Sequence, residues 1–181
     1  KHIRAAHGGV GEAKTAGNYA ASLYPAKKAM EKGYDQVLWL DAKEFKYVQE
    51  VGTMNIFFVI DGKVITPETN GTILKGITRK MILHILKDRG IEVEERLLDI
   101  NEVVAAHKEG RLSEVFGAGT AAVISNVELI AYNGEDMKMP PIETHEIAHM
   151  LKNEIKGIRS GEVADKYGWV VPVKKEEVTV N

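Results

Sequence analysis

The chain has 181 residues, 44% of them hydrophobic and 28% charged, which allows one ordinary core in a single domain. Its 24 Lys and Arg nearly cancel 26 Asp and Glu, for a net charge of -2, so there is no basic excess to recruit nucleic acid or anionic lipid. With no cysteine at all, disulfides, thiolate catalysis and zinc-thiolate sites are excluded.

The first residues, Lys1-His2-Ile3-Arg4, lead into a polar stretch instead of an apolar signal core, and no later run approaches the ~20 apolar residues of a membrane helix. A cytoplasmic protein is expected, and the start at Lys1 instead of Met suggests a processed piece. Residues 1–6 read as a short strand, and His7-Gly8-Gly9-Val10-Gly11 as a loop. From Asn18 to Lys32, the spacing of Leu23, Ala26, Lys27 and Met30 predicts a helix ending at Gly33. Residues 37–40 read as a buried strand. Asp61-Gly62 then separates two runs, 55–60 and 63–66, and its tolerance of positive φ predicts a tight hairpin.

A helix is predicted over 77–89, stopping at Gly90, with Ile82, Ile85 and Leu86 as its buried stripe. Strands are predicted at 92–96, 115–116 and 121–124, with a helix over 100–108 between the first two. A last helix starts after Pro140-Pro141 and runs to about Gly157, and residues 174–181 read as a solvated tail. Helices and strands intermix around one hairpin, so the fold class is mixed α/β.

Two stretches carry chemistry. In Gly11-Glu12-Ala13-Lys14-Thr15-Ala16-Gly17-Asn18-Tyr19, a lysine sits among small residues just before a helix. Partial burial there would depress its pKa and make the amine a nucleophile, although a lone lysine is more often a solvated surface residue. The second is His145-Glu146-Ile147-Ala148-His149, the H-E-x-x-H pattern of zinc metalloproteases. Ile147, Met150, Leu151, Ile155 and Ile158 form one helical stripe, which puts both imidazoles on the opposite face, toward solvent and away from any cleft that could hold zinc.

The stretch from Gly8 to Tyr19 resembles the Schiff-base segment of branched-chain aminotransferases, the fold-type IV pyridoxal-phosphate enzymes. Further blocks follow in family order: Gln36 to Leu40, Glu50-Val51-Gly52-Thr53-Met54-Asn55-Ile56-Phe57, Thr66-Pro67, Asn70-Gly71, Gly76-Ile77-Thr78-Arg79, Glu114 to Gly117, Gly119-Thr120-Ala121-Ala122 and Asp165 to Trp169. The resemblance implies that residues 1–173 form the cofactor-binding, C-terminal domain of such an enzyme and that an N-terminal domain is missing from this chain. It implies a homodimer that moves the amino group of leucine, isoleucine or valine to 2-oxoglutarate.

Carried over residue by residue, Lys14 would hold the cofactor and shuttle the proton. Glu50 would pair with the pyridine nitrogen, although out of context it reads as an exposed strand-end carboxylate. Tyr19 would bond the ring's phenolic oxygen, and Leu74 would pack on the ring. The Ile77 and Thr78 amides and the Thr120 hydroxyl would hold the phosphate, and the Thr120 and Ala121 amides the substrate carboxylate. Lys75 stands where the family usually has proline, which removes a rigid φ before the phosphate turn. The alternatives are a D-amino-acid aminotransferase or aminodeoxychorismate lyase of the same fold, the zinc metalloprotease, and a non-catalytic folded module.

Overall fold

In the computed structural model, residues 2–173 are described; the expected solvated tail at 174–181 lies outside them. Among the described residues the architecture is mixed α/β, as expected, with four helices and a seven-stranded sheet. Helix α1 (Ala16–Met30) leads to β1 (Leu38–Leu40), β2 (Val48–Val51), β3 (Met54–Ile60) and β4 (Lys63–Pro67). After these come α2 (Ile77–Asp88), β5 (Val93–Arg96), α3 (Ile100–Lys108), β6 (Leu112–Gly119) and β7 (Val123–Asn126). A small hairpin of β8 (Leu129–Tyr132) and β9 (Glu135–Lys138), a 3-10 turn (Ile142–Thr144) and α4 (Glu146–Ser160) complete it.

β3 is the hub of the sheet. β6 runs antiparallel along it from Asn55 to Ile60, β2 meets only Met54 and Asn55, and β4 meets Phe58 to Ile60. Strand alternation then sorts its side chains between two cores. Ile56, Phe58 and Ile60 pack with Val103 and Ala106 of α3, while Phe57 and Val59 pack with Ile82, Ile85 and Leu86 of α2 and Leu151 and Ile155 of α4. A strand covered on both faces can be apolar throughout, and Phe57 and Phe58 are both fully buried.

Asp61 and Gly62 both take positive φ, at 52° and 76°, in the expected turn between β3 and β4. The helix expected at 100–108 is found at those bounds, capped by the Asp99 side chain accepting from the Asn101 amide at 2.8 Å. Residues 2–6 form no strand, contrary to expectation; no neighbouring strand pairs with them, and the Arg4 side chain anchors the segment instead. The strand expected at 121–124 begins only at Val123, because residues 120–122 turn the chain between β6 and β7. The expected strand at 115–116 grows to eight residues through its pairing with β3.

Candidate active site

Antiparallel pairing brings several strand ends to one end of the sheet. Glu50 near the end of β2 faces Asn55 near the start of β3, and Asn55 in turn lies beside Ala118 near the end of β6. β4 runs toward the same end, since Ile65 pairs with Phe58 and the Thr66 hydroxyl donates to the Ile56 carbonyl at 2.7 Å. The segment from 68 to 76 therefore leaves β4 beside Glu50 and enters α2 there.

The Lys14 loop is docked on that segment. Gly11 packs so closely on Thr72 that a Cβ would lie 2.6 Å from the Thr72 carbonyl oxygen, and Glu12 pairs with Lys75 at 2.6 Å. The buried Asn18 amide ties the loop to α1 by donating to the carbonyls of Val10 at 2.8 Å and Ala13 at 3.0 Å. Lys14 Nζ lies 3.4 Å from the Tyr19 hydroxyl, so the expected lysine and tyrosine do meet. The expected partial burial of the amine is not found. Lys14 is exposed.

Glu50, which out of context reads as an exposed carboxylate, is 3% exposed. Its Oε2 forms an ion pair with Arg4 Nε, and its Oε1 accepts from the Asn55 amide at 3.0 Å. The same Asn55 nitrogen donates to the Leu74 carbonyl at 2.8 Å, joining the carboxylate to the segment before α2. Burial pushes the Glu50 carboxyl up to about 7, outweighing Arg4, the Leu74 amide and Lys14, all of which favour the anion. One cleft is lined by Arg4, Asn18, Tyr19, Glu50, Thr53 and Leu74, so three of the expected cofactor contacts, Tyr19, Glu50 and Leu74, share a wall.

Ile77 and Thr78 open α2, whose N-cap, Gly76, offers no side-chain hydrogen bond. The first-turn amides are thus free of a capping side chain at the positive end of the helix dipole. Gly76 lies against Asn55, where a Cβ would come 2.2 Å from Oδ1. Thr120 and Ala121 are exposed on the β6–β7 turn at the same end of the sheet, but they do not line the cleft.

His145 and His149 do not point to solvent, contrary to expectation. His145 is fully buried, its Nε2 3.1 Å from the Pro140 carbonyl, and His149 Nε2 lies 2.8 Å from the Ile142 carbonyl. The 3-10 turn delays α4 to Glu146, so His145 is its N-cap and falls outside the helical periodicity. Among the described residues, no group of three or more His, Cys, Asp or Glu is placed to hold a metal ion. Sequence reasoning missed Arg4 and the bridging Asn55. For Asn55 a signal existed, a lone amide ahead of the apolar run 56–60; for Arg4 there was none.

Residues 2–130 match the family described as amino-transferase class IV. A probable branched-chain-amino-acid aminotransferase of Staphylococcus epidermidis is 54% identical over 175 residues, which cover 97% of this chain and 49% of that protein. Among solved structures, the branched-chain amino acid aminotransferase of Escherichia coli superposes with a TM-score of 0.76 at 31% identity, covering 93% of this chain and 53% of that one. The branched-chain amino acid aminotransferase of Thermobaculum terrenum, in its PLP-bound holo-form, gives 0.65 at 28% identity over 82% of this chain and 46% of that one. The chain spans about half the length of the curated relatives it matches.

Proposed function

Since the chain belongs to the class IV aminotransferases, we propose that it is the cofactor-binding part of a longer branched-chain aminotransferase, with pyridoxal phosphate carried on Lys14 and an amino group moved from leucine, isoleucine or valine to 2-oxoglutarate. The observation that carries this reading is the convergence, at one end of the sheet, of an exposed amine paired with Tyr19 and a buried carboxylate held by Arg4 and Asn55. Those residues fit the group. An aldehyde needs a primary amine, a pyridine nitrogen needs a dry carboxylate, and a phosphate needs a helix start with free amides. Bound there, the cofactor would supply a sink for the electron pair left when the substrate Cα loses its proton.

Lys14 Nζ is the group that takes the Cα proton and returns it, for which it must be neutral when it acts. The Tyr19 hydroxyl, 3.4 Å away, offers that nitrogen a hydrogen-bond partner and the cofactor's phenolic oxygen a donor. Glu50, as an anion, holds the proton on the pyridine nitrogen. Leu74 would pack on the ring, and the Ile77 and Thr78 amides with the Thr120 hydroxyl would hold the phosphate. The Thr120 and Ala121 amides, on the turn at the same end of the sheet, would receive the substrate carboxylate.

The same reading takes the complete protein to be a cytoplasmic homodimer whose N-terminal domain closes the site. Leu23, Tyr24 and Met30 on α1 are 69%, 58% and 59% exposed, an apolar surface that a further domain or subunit would cover. Borohydride reduction of the complete protein, followed by peptide mapping, should fix one pyridoxyl group on Lys14. Attachment at another lysine, or none, overturns the assignment. Turnover of leucine with 2-oxoglutarate in a coupled assay tests the substrates.

A further inference from the structure

Arg4 belongs to no helix or strand, yet its side chain is only 9% exposed, against Glu50 at 4%. Its Nε faces the Glu50 carboxylate, while Nη2 donates to the Gly11 carbonyl at 2.9 Å and to the Thr72 carbonyl. One guanidinium thus ties the Lys14 loop, the segment before α2 and the end of β2 together around the carboxylate. The fork of donors on a planar guanidinium suits this task, since three acceptors on three segments can be held at once. A carboxyl removed from water protonates unless a charge opposes the change. The other groups bearing on Glu50 are the Asn55 amide and the Leu74 backbone N–H, both neutral, and the Lys14 amine. Lys14 can give no steady charge if it carries the cofactor and shuttles a proton. Arg4 is the one permanent cation of the set.

We infer that Arg4 is a positioning residue that keeps the Glu50 carboxylate ionised and fixed in orientation, so that Glu50 can hold a proton on the pyridine nitrogen of the cofactor. The consequence for the cofactor rests on the proposed function, but the hold of Arg4 on Glu50 can be measured without it. In the complete, cofactor-free protein, carboxyl carbon NMR should show the Glu50 titration of Arg4→Gln raised by about one to three pH units. Arg4→Lys, which restores the charge, should recover most of that change. An unchanged Glu50 midpoint in Arg4→Gln overturns the inference.

With nitrogen-15 pyridoxal phosphate bound, the ring nitrogen should be protonated in the parent and in Arg4→Lys. It should move toward the unprotonated resonance in Arg4→Gln, as in Glu50→Gln; a nitrogen that stays protonated in Arg4→Gln overturns the step from Glu50 to the cofactor. If Arg4→Gln does not fold, the Arg4 guanidinium protons of the parent decide. Resonances that shift with pH through the Glu50 titration support the link, and flat ones refute it. A parent that binds no pyridoxal phosphate would sink the proposed function while leaving the carboxyl titration to decide the Arg4–Glu50 link.

Discussion

Gly76 stands where the site is tightest, and adding one methyl group there tests the geometry. Its φ of -62° is open to any residue, so Gly76→Ala brings no backbone strain, although alanine is a poorer N-cap than glycine by about 1 kcal/mol. The added Cβ would fall 2.2 Å from Asn55 Oδ1, so Asn55 or the start of α2 must move by about 1 Å to reach ordinary contact. Asn55 Nδ2 would then lose its hold on Glu50 at 3.0 Å and on the Leu74 carbonyl at 2.8 Å. The first involves a charged partner, worth about 1.5–3 kcal/mol, and the second about 1 kcal/mol. The expected loss is therefore about 2–4 kcal/mol, shared between folding and cofactor affinity, with a Tm lower by several degrees and pyridoxal phosphate bound at least ~10-fold more weakly. Gly17→Ala is the control. It lies in the first turn of α1 with nothing within 4 Å of the new atom, and should be neutral or slightly stabilising. Thermal melts and cofactor titrations on the complete protein read both variants. A Gly76→Ala protein that matches Gly17→Ala in both would show that Asn55 does not transmit strain from α2 to Glu50.

Glu50→Gln should retain cofactor on Lys14 but slow transamination on the order of 100-fold or more, because a neutral amide cannot hold the pyridine proton as charge develops; a rate within twofold of the parent refutes that role. The same carboxyl gives a pH dependence of stability in the cofactor-free protein. Its folded midpoint of about 7 lies above the ordinary 4.5, so the folded state holds the proton more tightly than the unfolded state. Its contribution is present below pH 4.5 and lost as pH rises through 7, at most about 3 kcal/mol, so Tm should fall over that window in the parent and not in Glu50→Gln. Glu114, 4% exposed, accepts from the Ile147 and Ala148 amides at 2.9 and 2.8 Å and so caps α4 from β6. Glu114→Gln keeps one acceptor and turns an NH2 toward the other amide, which should cost about 2–3 kcal/mol and lower Tm by about 5–10 °C; a change below ~2 °C would mean the cap is dispensable.

The elements legible in the sequence were those whose signals are local. Asp61-Gly62 between two apolar runs and the Ile82, Ile85, Leu86 stripe each state their structure within a few residues. The β8–β9 hairpin went unread although Asn133 and Gly134, at φ 51° and 82°, form the same kind of turn. Its strands bury only Ile130 and Met137, and neither strand alternates in sequence, since Leu129-Ile130-Ala131-Tyr132 has no charged residue and Glu135-Asp136-Met137-Lys138 has a single apolar one. β2 was hidden for a different reason. Val48-Gln49-Glu50-Val51 is buried at every position, and two polar residues in a fully buried strand break the pattern by which such strands are recognised.

The site divides along the same line. Lys14, Tyr19, Glu50 and Leu74 could be proposed from contiguous motifs, and the fold draws them to one end of the sheet. What holds the Glu50 carboxylate in place is not contiguous: a guanidinium 46 positions earlier in the chain and an amide on the next strand. A periodicity assigns a face only inside an element, and Arg4 lies in none; His145 defeated the same reasoning from the other direction, as a cap just outside α4. The approach of the Lys14 loop to Thr72 and of α2 to Asn55 depends on Gly11 and Gly76 having no side chain. Those two contacts set the distance between the amine, the carboxylate and the start of α2. The electrostatics of the site thus follow from how three loops are spaced, a property that packing decides after each segment has taken its local form.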